Sequence, residues 1–547
     1  MPTDGRVARS LPVWLVPVGL FVLALVLRAI AAASIDASPS EVSAYYVGVA
    51  GNLVAGRGLV SDAIWSYAAQ PLSHPQPAFA LWMPLASLLA AVPLVLGASP
   101  LAGAQSSAVL IGAAIAPLTW YVARDATGRE GLSGRRAATV ALGCGLVAAC
   151  LGPFLVAVGA PDSTTAFTVL AVAACCAMPL ALRHPGKAAW GIALGVLLGL
   201  TWLTRQEAVW LGLAYLLLLV PALRQVGSAE RRSWLVRALA LPVAAGALTI
   251  VPWLLRNLVV FGTPFPGQAT DNLWFTRNSD AFAYLDRPGP ADFLAQGPLT
   301  IVAHIGTGLG HQLLNVLLLP ALPIGLVGLL SLVWLWRAPA VREAGALQAT
   351  LVAGGLIFVA TGVLFPVATL WGTFQHASGP LLVALIVVAG LGLDRLVAAV
   401  GRWRAWDKAN AWLAPLLVLA LVVPLAGLEV ALSAGFAERE QARVAAASTA
   451  LAATLPADAS ANGVIISDHP IWLAQASGRP TVVLPDEPPE AILQLARDFD
   501  ARAVLIFGDR PESTPDLHDQ RCFQERALPA EVGPDARLYV LAGGCLS

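Results

Sequence analysis

The sequence predicts an α-helical polytopic membrane protein of about eleven transmembrane helices. Juxtamembrane helices on the outer side and a small C-terminal α/β extracytoplasmic domain complete the expected architecture. Three observations carry that prediction. Long apolar runs recur through residues 1–435 of a chain that is 57% apolar and 12% charged, whereas soluble domains carry roughly a quarter charged residues. Arginines cluster in every second connection between those runs. Past about residue 436 the apolar runs shorten to strand length.

A span needs about 20 apolar residues. Candidate runs lie near 11–33, 103–123, 137–159, 165–182, 188–204, 208–223, 238–255, 316–336, 345–365, 380–400 and 412–434. The first is long and poor in small cleavable residues at its end, so it reads as an anchor and not a removable signal peptide. The arginine clusters are Arg6 and Arg9; Arg124, Arg129, Arg135 and Arg136; Arg183 and Lys187; Arg224, Arg231, Arg232 and Arg237; Arg337 and Arg342; and Arg395, Arg402, Arg404 and Lys408. Between them lie Asp36, Glu41 and Asp62; Asp162; Arg205 and Glu207; the stretch from Arg256 to Gln296; and Gln375 with His376. Short cytoplasmic loops collect Lys and Arg, so the N-terminus is expected inside and the unusual polar groups outside. Arginine stands almost everywhere in place of lysine, the usage of a GC-rich bacterial genome, which points to a bacterial plasma (inner) membrane.

Two apolar stretches are expected not to span. Ala78 to Gly97 carries Pro84 and Pro93, which cost an isolated helix dearly, and a crossing there would put the Arg124–Arg136 loop outside. Leu299 to Asn315 is interrupted by His304, Gly306, Gly308, Gly310 and His311. It reads as an amphipathic outer helix leading into the next span.

Residues 436–547 are expected to form the α/β domain. Gly463 to Ser467, Thr481 to Leu484, Ala503 to Phe507 and Leu538 to Leu541 are short apolar runs bounded by Gly, Pro and Asp, with a helical pattern over Glu490 to Asp498. Cys522 and Cys545 are its only cysteines. An oxidising compartment would let them pair; two free thiols are the alternative. Cys144, Cys150, Cys175 and Cys176 lie in spans, where cysteine packs as a small hydrophobe. No Cys/His spacing points to zinc, so the sequence assigns no cofactor, and divalent-metal dependence stays open.

The first outer loop, 34–102, is the richest in chemistry. It contains "AYYVGVAGNLVAGRGL" from Ala44 and "HPQPAFALWMPL" from His74. These runs resemble the first extracytoplasmic loop of the GT-C glycosyltransferases, among them the protein O-mannosyltransferases and bacterial enzymes that use polyprenyl-phosphate-linked sugars. Further resemblances follow in order: "APDSTTAF" (Ala160 to Phe167), "GLTWLTRQEAVWL" (Gly199 to Leu211), "PWLLRNLVVFGTPFP" (Pro252 to Pro266), "LWGTFQHASGPLL" (Leu370 to Leu382) and "SDHPIWLAQASGRPTVVLP" (Ser467 to Pro485). The resemblance implies a GT-C-like transmembrane domain over 1–435. It also implies transfer of a sugar from a polyprenyl-phosphate donor to a lipid, glycan or protein acceptor.

The family usually carries an acidic pair just before the A-Y-Y; here Val42 and Ser43 stand there, with Glu41 one residue earlier. Glu41 is therefore the expected catalytic base, with Asp36 and Asp62 as the other first-loop carboxylates. Inverting transfer needs a base on the acceptor hydroxyl, and the departing phosphate needs cations. Arg205, Arg256 and Arg28 are the expected phosphate ligands, because the guanidinium fork makes paired bonds to oxyanions; Arg277 also faces outward. Tyr45, Tyr46, His74, Asp162, Glu207 and His376 are expected to touch acceptor or donor. Each has a structural alternative: an Arg205–Glu207 ion pair, Arg256 anchored beside Trp253, Asp162 capping the next helix, histidines that only hydrogen-bond.

A net charge of zero offers nothing for nucleic acid. No nucleotide fingerprint or Ser-His-Asp ordering stands out. Two other functions stay open: a catalytically inactive GT-C-like scaffold or glycan-assembly factor, and a lipid-glycan transporter. The second is disfavoured by the lack of an internal repeat and by ionisable residues placed at span ends.

Overall fold

The computed structural model describes residues 12, 14–267, 270–406, 411–455, 463–508, 515–517 and 521–545. Arg6, Arg9 and Lys408, three of the charges used to orient the chain, lie outside the described residues. Ten described helices are long and apolar enough to cross a membrane: Leu15–Ala33, Pro100–Arg129, Gly134–Gly159, Ser163–Arg183, Gln206–Arg224, Arg231–Phe261, Pro298–Leu318, Ala346–Leu364, Gly379–Trp403 and Leu413–Thr454. Ala188–Thr204 and Ile324–Leu335 are apolar but shorter.

The largest rearrangement relative to the expected spans falls between 298 and 335. The chain is α-helical over Pro298–His311, widens into a π-helix over Gln312–Leu318 and restarts as Ile324–Leu335. The run expected as an outer amphipathic helix is thus the start of a long apolar helix, and the span expected at 316–336 is broken. Pro320 and Pro323 explain the break, since neither has an N–H for the preceding turn. Gly325 completes it: a Cβ there would lie 1.8 Å from the Leu317 carbonyl oxygen, so only glycine lets the two segments close. Ala78 to Gly97, by contrast, supplies only the helix Leu85–Val95 of 11 residues. At 1.5 Å per residue that is about 16 Å, half a bilayer core.

The two ends of the bundle differ. One gathers the 124–136, 183–187, 337–345 and 394–404 connections. There Arg136 meets Asp394 at 2.8 Å, Arg129 meets Asp125 at 2.9 Å and Glu343 at 3.6 Å, and Arg395 pairs with Glu130. The other end gathers the first loop, residues 160–163, 204–208, 262–267, 270–297 and 365–378, and the C-terminal sheet.

That sheet is built as follows. In the first loop, β1 (Val60–Ser61) pairs antiparallel with β3 (Gln76–Pro77), while β2 (Ala63–Ile64) leaves to join the C-terminal strands. Those are β4 (Val464–Ser467), β5 (Thr481–Val483), β6 (Ala501–Ile506), β7 (Phe523–Arg526) and β8 (Arg537–Leu541). The order is β2-β5-β4-β6-β8-β7, parallel from β2 to β6 and antiparallel beyond. The helix Leu413–Thr454 has 42 residues, about 63 Å, and runs unbroken from the bundle to this sheet. Its Val444, Ala447 and Leu451 pack with Ile465, Ala503 and Leu505 on one face. On the other face Ile64, Tyr67, Phe275, Phe282 and Val367 join Ile466, Val482 and Val504 in a single core. The loops at this end of the bundle and the sheet therefore share one hydrophobic interior. Cys522 and Cys545 form a disulfide, Cα atoms 5.7 Å apart.

Candidate active site

A cavity of about 580 Å³ opens where the first loop and its neighbours at that end of the bundle meet the sheet. Segments far apart in the chain line it, among them Pro39 to Val42 with Tyr46, Leu81 to Met83, Thr204 to Trp210, Trp371 to His376, and His469 with Trp472.

The first segment is set by a helix start. Ser40 is extended and its hydroxyl accepts from Ser43 N at 3.1 Å, so helix Glu41–Val54 begins at Glu41. Glu41 is buried at the cavity wall. Its carboxylate accepts from Ile471 N at 2.9 Å and lies 3.4 Å from His469 Nδ1. It thereby caps helix Pro470–Ser477 and ties the first loop to the C-terminal region. One turn on, Tyr46 lines the cavity, while Tyr45 packs behind it against Trp82 at 4.5 Å and accepts a hydrogen bond from Phe79 N at 2.8 Å. Burial pushes both phenols above their ordinary range.

The helix Ala188–Thr204 ends because Arg205 is extended, with φ −158° and ψ 140°. This turns the guanidinium sideways into the cavity. Arg205 contacts Glu207 at 2.5 Å, Ser163 Oγ at 3.1 Å and the Thr373 carbonyl at 3.4 Å. Among the described residues it is the only Lys or Arg that lines the cavity. Behind it, Asp162 caps helix Ser163–Arg183, accepting from Thr164 N at 2.6 Å. The second Asp162 oxygen lies 2.9 Å from His376 Nδ1, which is also 2.8 Å from Thr164 Oγ1. Burial would raise the Asp162 carboxyl, but His376 and the Thr164 donors hold it below the usual range.

So Glu41, Tyr46, Arg205, Glu207 and His376 line one cavity, with Asp162 directly behind His376. The other expected site residues lie elsewhere. Asp36 is exposed. Asp62 pairs with Arg57 and accepts from Asn52 at 3.3 Å, outside the cavity. His74 packs against Phe499 with ring centres 5.9 Å apart; burial lowers its imidazole to about 4. Arg256 sits over the rings of Trp253 and Phe261, at 4.8 and 5.0 Å, so it is held by aromatic faces. Arg277 pairs with Asp280 and with Asp486 at 2.9 Å. Arg28 is fully buried in the bundle and donates to the carbonyls of Ala149 and Ala148 at 3.3 and 3.2 Å. Those carbonyls are released where Leu151 is extended and Pro153 lacks an N–H, so Arg28 repairs a helix break.

His469 lies in the "SDHPIW" run, where nothing in the local sequence marks it as a cavity residue. Nor did the pattern announce the aromatic wall of Trp65, Trp82, Trp210, Trp371 and Trp472, since tryptophans near span ends also serve as interfacial anchors. Among the described residues no group of three His, Cys, Asp or Glu side chains is placed to hold a metal ion.

The sequence matches no family model and no curated protein. Solved structures do match the fold. The archaeal oligosaccharyltransferase AglB from Archaeoglobus fulgidus, solved with an inhibitory peptide and a dolichol-phosphate, aligns with TM-score 0.56 and 13% identity over 91% of this chain and 70% of that one. ArnT from Cupriavidus metallidurans bound to undecaprenyl phosphate aligns with TM-score 0.53 and 18% identity over 96% of this chain and 98% of its own. The chain is a multi-pass membrane protein with the GT-C glycosyltransferase fold.

Proposed function

We propose that the chain transfers a sugar from a polyprenyl-phosphate-linked donor to an acceptor hydroxyl, in this cavity and on the extracytoplasmic face. The observation that carries the reading is Arg205. A largely buried cation held by Ser163, Thr373 and Glu207 faces a cavity walled mostly by aromatic and apolar side chains, with Glu41, Glu207, His376 and His469 as its acidic and imidazole groups. That is the setting in which a guanidinium binds one phosphate and balances the charge that develops as the phosphate departs. Neighbouring structures solved with undecaprenyl phosphate and dolichol-phosphate support a lipid-linked donor. The indole faces offer a sugar flat stacking surfaces, and the acceptor is a lipid, glycan or protein hydroxyl. Arg28 and Arg256, bonded elsewhere, take no part in this reading. Glu41 contributes by fixing the C-terminal region against the first loop.

The orientation rests on the arginine end of the bundle facing the cytoplasm, which puts residues 436–547 outside. Purified protein in lipid discs, supplied with a radiolabelled polyprenyl-phosphate sugar, should release polyprenyl phosphate and label an acceptor. No release with any monosaccharide donor, alongside a fluorescent cytoplasmic reporter fused after Ser547, would remove both reaction and orientation and leave the scaffold reading.

A further inference from the structure

Two carboxylate–imidazole pairs border the cavity, and they are built differently. In Glu41–His469 both side chains line the wall, and the carboxylate also caps a helix through Ile471 N. His469 is packed against Trp472 and Phe507, ring centres 5.1 and 5.5 Å away. In Asp162–His376 the carboxylate lies behind and only the imidazole lines the cavity. An ionised carboxylate accepts hydrogen bonds only, so Nδ1 carries the proton and Nε2 keeps its lone pair. Among the described residues Nε2 makes no hydrogen bond. Asp162 is fixed in turn by Thr164 N at 2.6 Å. This is the base–orienter arrangement that activates hydroxyls on unrelated folds. Arg205 is interleaved with the pair, bonding Ser163 next to Asp162 and Thr373 one helical turn before His376.

We propose that His376, oriented by Asp162, is the proton acceptor of the transfer, in place of a first-loop carboxylate; the inference rests on the glycosyl transfer proposed above. The acceptor O–H gives its proton to His376 Nε2 as its oxygen bonds to the anomeric carbon. The bond from that carbon to the phosphate oxygen breaks, and its electron pair leaves on the phosphate, balanced by Arg205. The imidazolium then returns its proton to water or to the departing phosphate. His376 is the catalytic residue of this step and Asp162 a positioning residue. Asp162 contacts the imidazole, and the other charged or titratable side chains on the same cavity are Glu41, Tyr46, Arg205, Glu207 and His469. The segments packed against Thr373–Ala377, namely 163–183, 346–364, 312–318 and 368–371, contribute no other Asp, Glu, His, Lys or Arg except Arg183 at the far end.

The test is the pH profile of turnover by the full-length protein in lipid discs with a polyprenyl-phosphate sugar. Free imidazoles and carboxylates titrate near about 6.5 and about 4, so the position of the acid limb distinguishes the two kinds of base. His376→Gln should lower kcat by about 10²- to 10⁴-fold with donor affinity unchanged. Asp162→Asn keeps the helix cap, since Asn caps as well as Asp, and should lower kcat while moving the acid limb to lower pH. Glu41→Gln should leave the acid limb in place. If Glu41→Gln depresses kcat on the scale expected for His376→Gln, and Asp162→Asn leaves limb and kcat within about threefold of wild type, Glu41 is the base and the inference falls while the enzyme reading stands. Failure of the wild type to turn over removes the enzyme reading, and this one with it.

Discussion

Both ends of the helix bundle hold arginine–carboxylate pairs, yet they use them differently. At the connection-rich end Arg136, Arg129 and Arg395 clamp Asp394, Asp125 and Glu130 across neighbouring loops, and those pairs border no large cavity. At the other end Arg205 is paired just as closely, but its guanidinium also faces about 580 Å³ of open space. The same chemical pair staples loops at one end and presents a charge to a ligand at the other. What separates them is whether the surrounding segments pack onto the pair or stand back from it.

The sharpest way to break that comparison is to remove one arginine at each end. Arg205→Ala leaves Glu207, 12% exposed, without its cation, which should cost up to about 3 kcal/mol of stability, and should weaken donor binding by about 1.5–3 kcal/mol. Arg136→Ala strands the buried Asp394 but starts from a half-exposed cation, so a stability loss of about 1–3 kcal/mol is expected, with donor affinity unchanged. Thermal unfolding and donor titration of both variants decide it. Equal loss of donor affinity would mean that the cavity is not the donor site.

A smaller effect separates the two edges of the C-terminal sheet. The cavity residues His469 and Trp472 follow β4, on the side of the sheet where β2 docks, whereas the Cys522–Cys545 bond closes a 23-residue separation at the β7 edge. Opening that bond should cost about 3 kcal/mol in the chain-entropy view and lower the unfolding temperature without changing turnover. Alkylation mass with and without reductant reports the bond itself, and a parallel fall in turnover would show that the two edges are coupled.

The end of the bundle at which each connection gathers was legible because burying charge in hydrocarbon is costly enough to leave a periodic record. The strands β4, β5, β6 and β8 were legible as short apolar runs. The two-residue β2 was not, since nothing in Ala63-Ile64 marks a strand without its β5 partner. The break near Leu319 to Pro323 was hidden in a run of adequate hydropathy, where tertiary packing and two prolines outweighed length. At the site, Glu41, Arg205, Glu207 and His376 could be named because they stand against the charge trend. Their pairing could not: His376 and Asp162 are 2.9 Å apart but lie in different connections, and no local pattern encodes that contact. Nor does any pattern tell that Arg28 mends a helix break while Arg205 faces open space.

The smallest expected effect sharpens the comparison within the first loop, between Glu41 and Asp62. Both are acids of the same segment, but Glu41 is buried at the cavity wall, whereas the Arg57–Asp62 pair is 47% and 38% exposed. Exposed pairs are screened and contribute about 0–1 kcal/mol. Burial would raise the Asp62 carboxyl, but the Arg57 and Asn52 contacts hold it below its ordinary value of 3.8. A carboxyl with a depressed folded pKa stabilises above that value, and the contribution is lost as pH falls through the lowered one. Asp62→Asn should therefore be less stable than wild type by under about 1 kcal/mol at neutral pH, with the gap closing well below pH 3.8. Turnover should not change, because Asp62 neither lines the cavity nor bonds to a residue that does. Loss of transfer in Asp62→Asn with its fold intact would mean that the first loop rearranges during the reaction and that the cavity described here is a resting form.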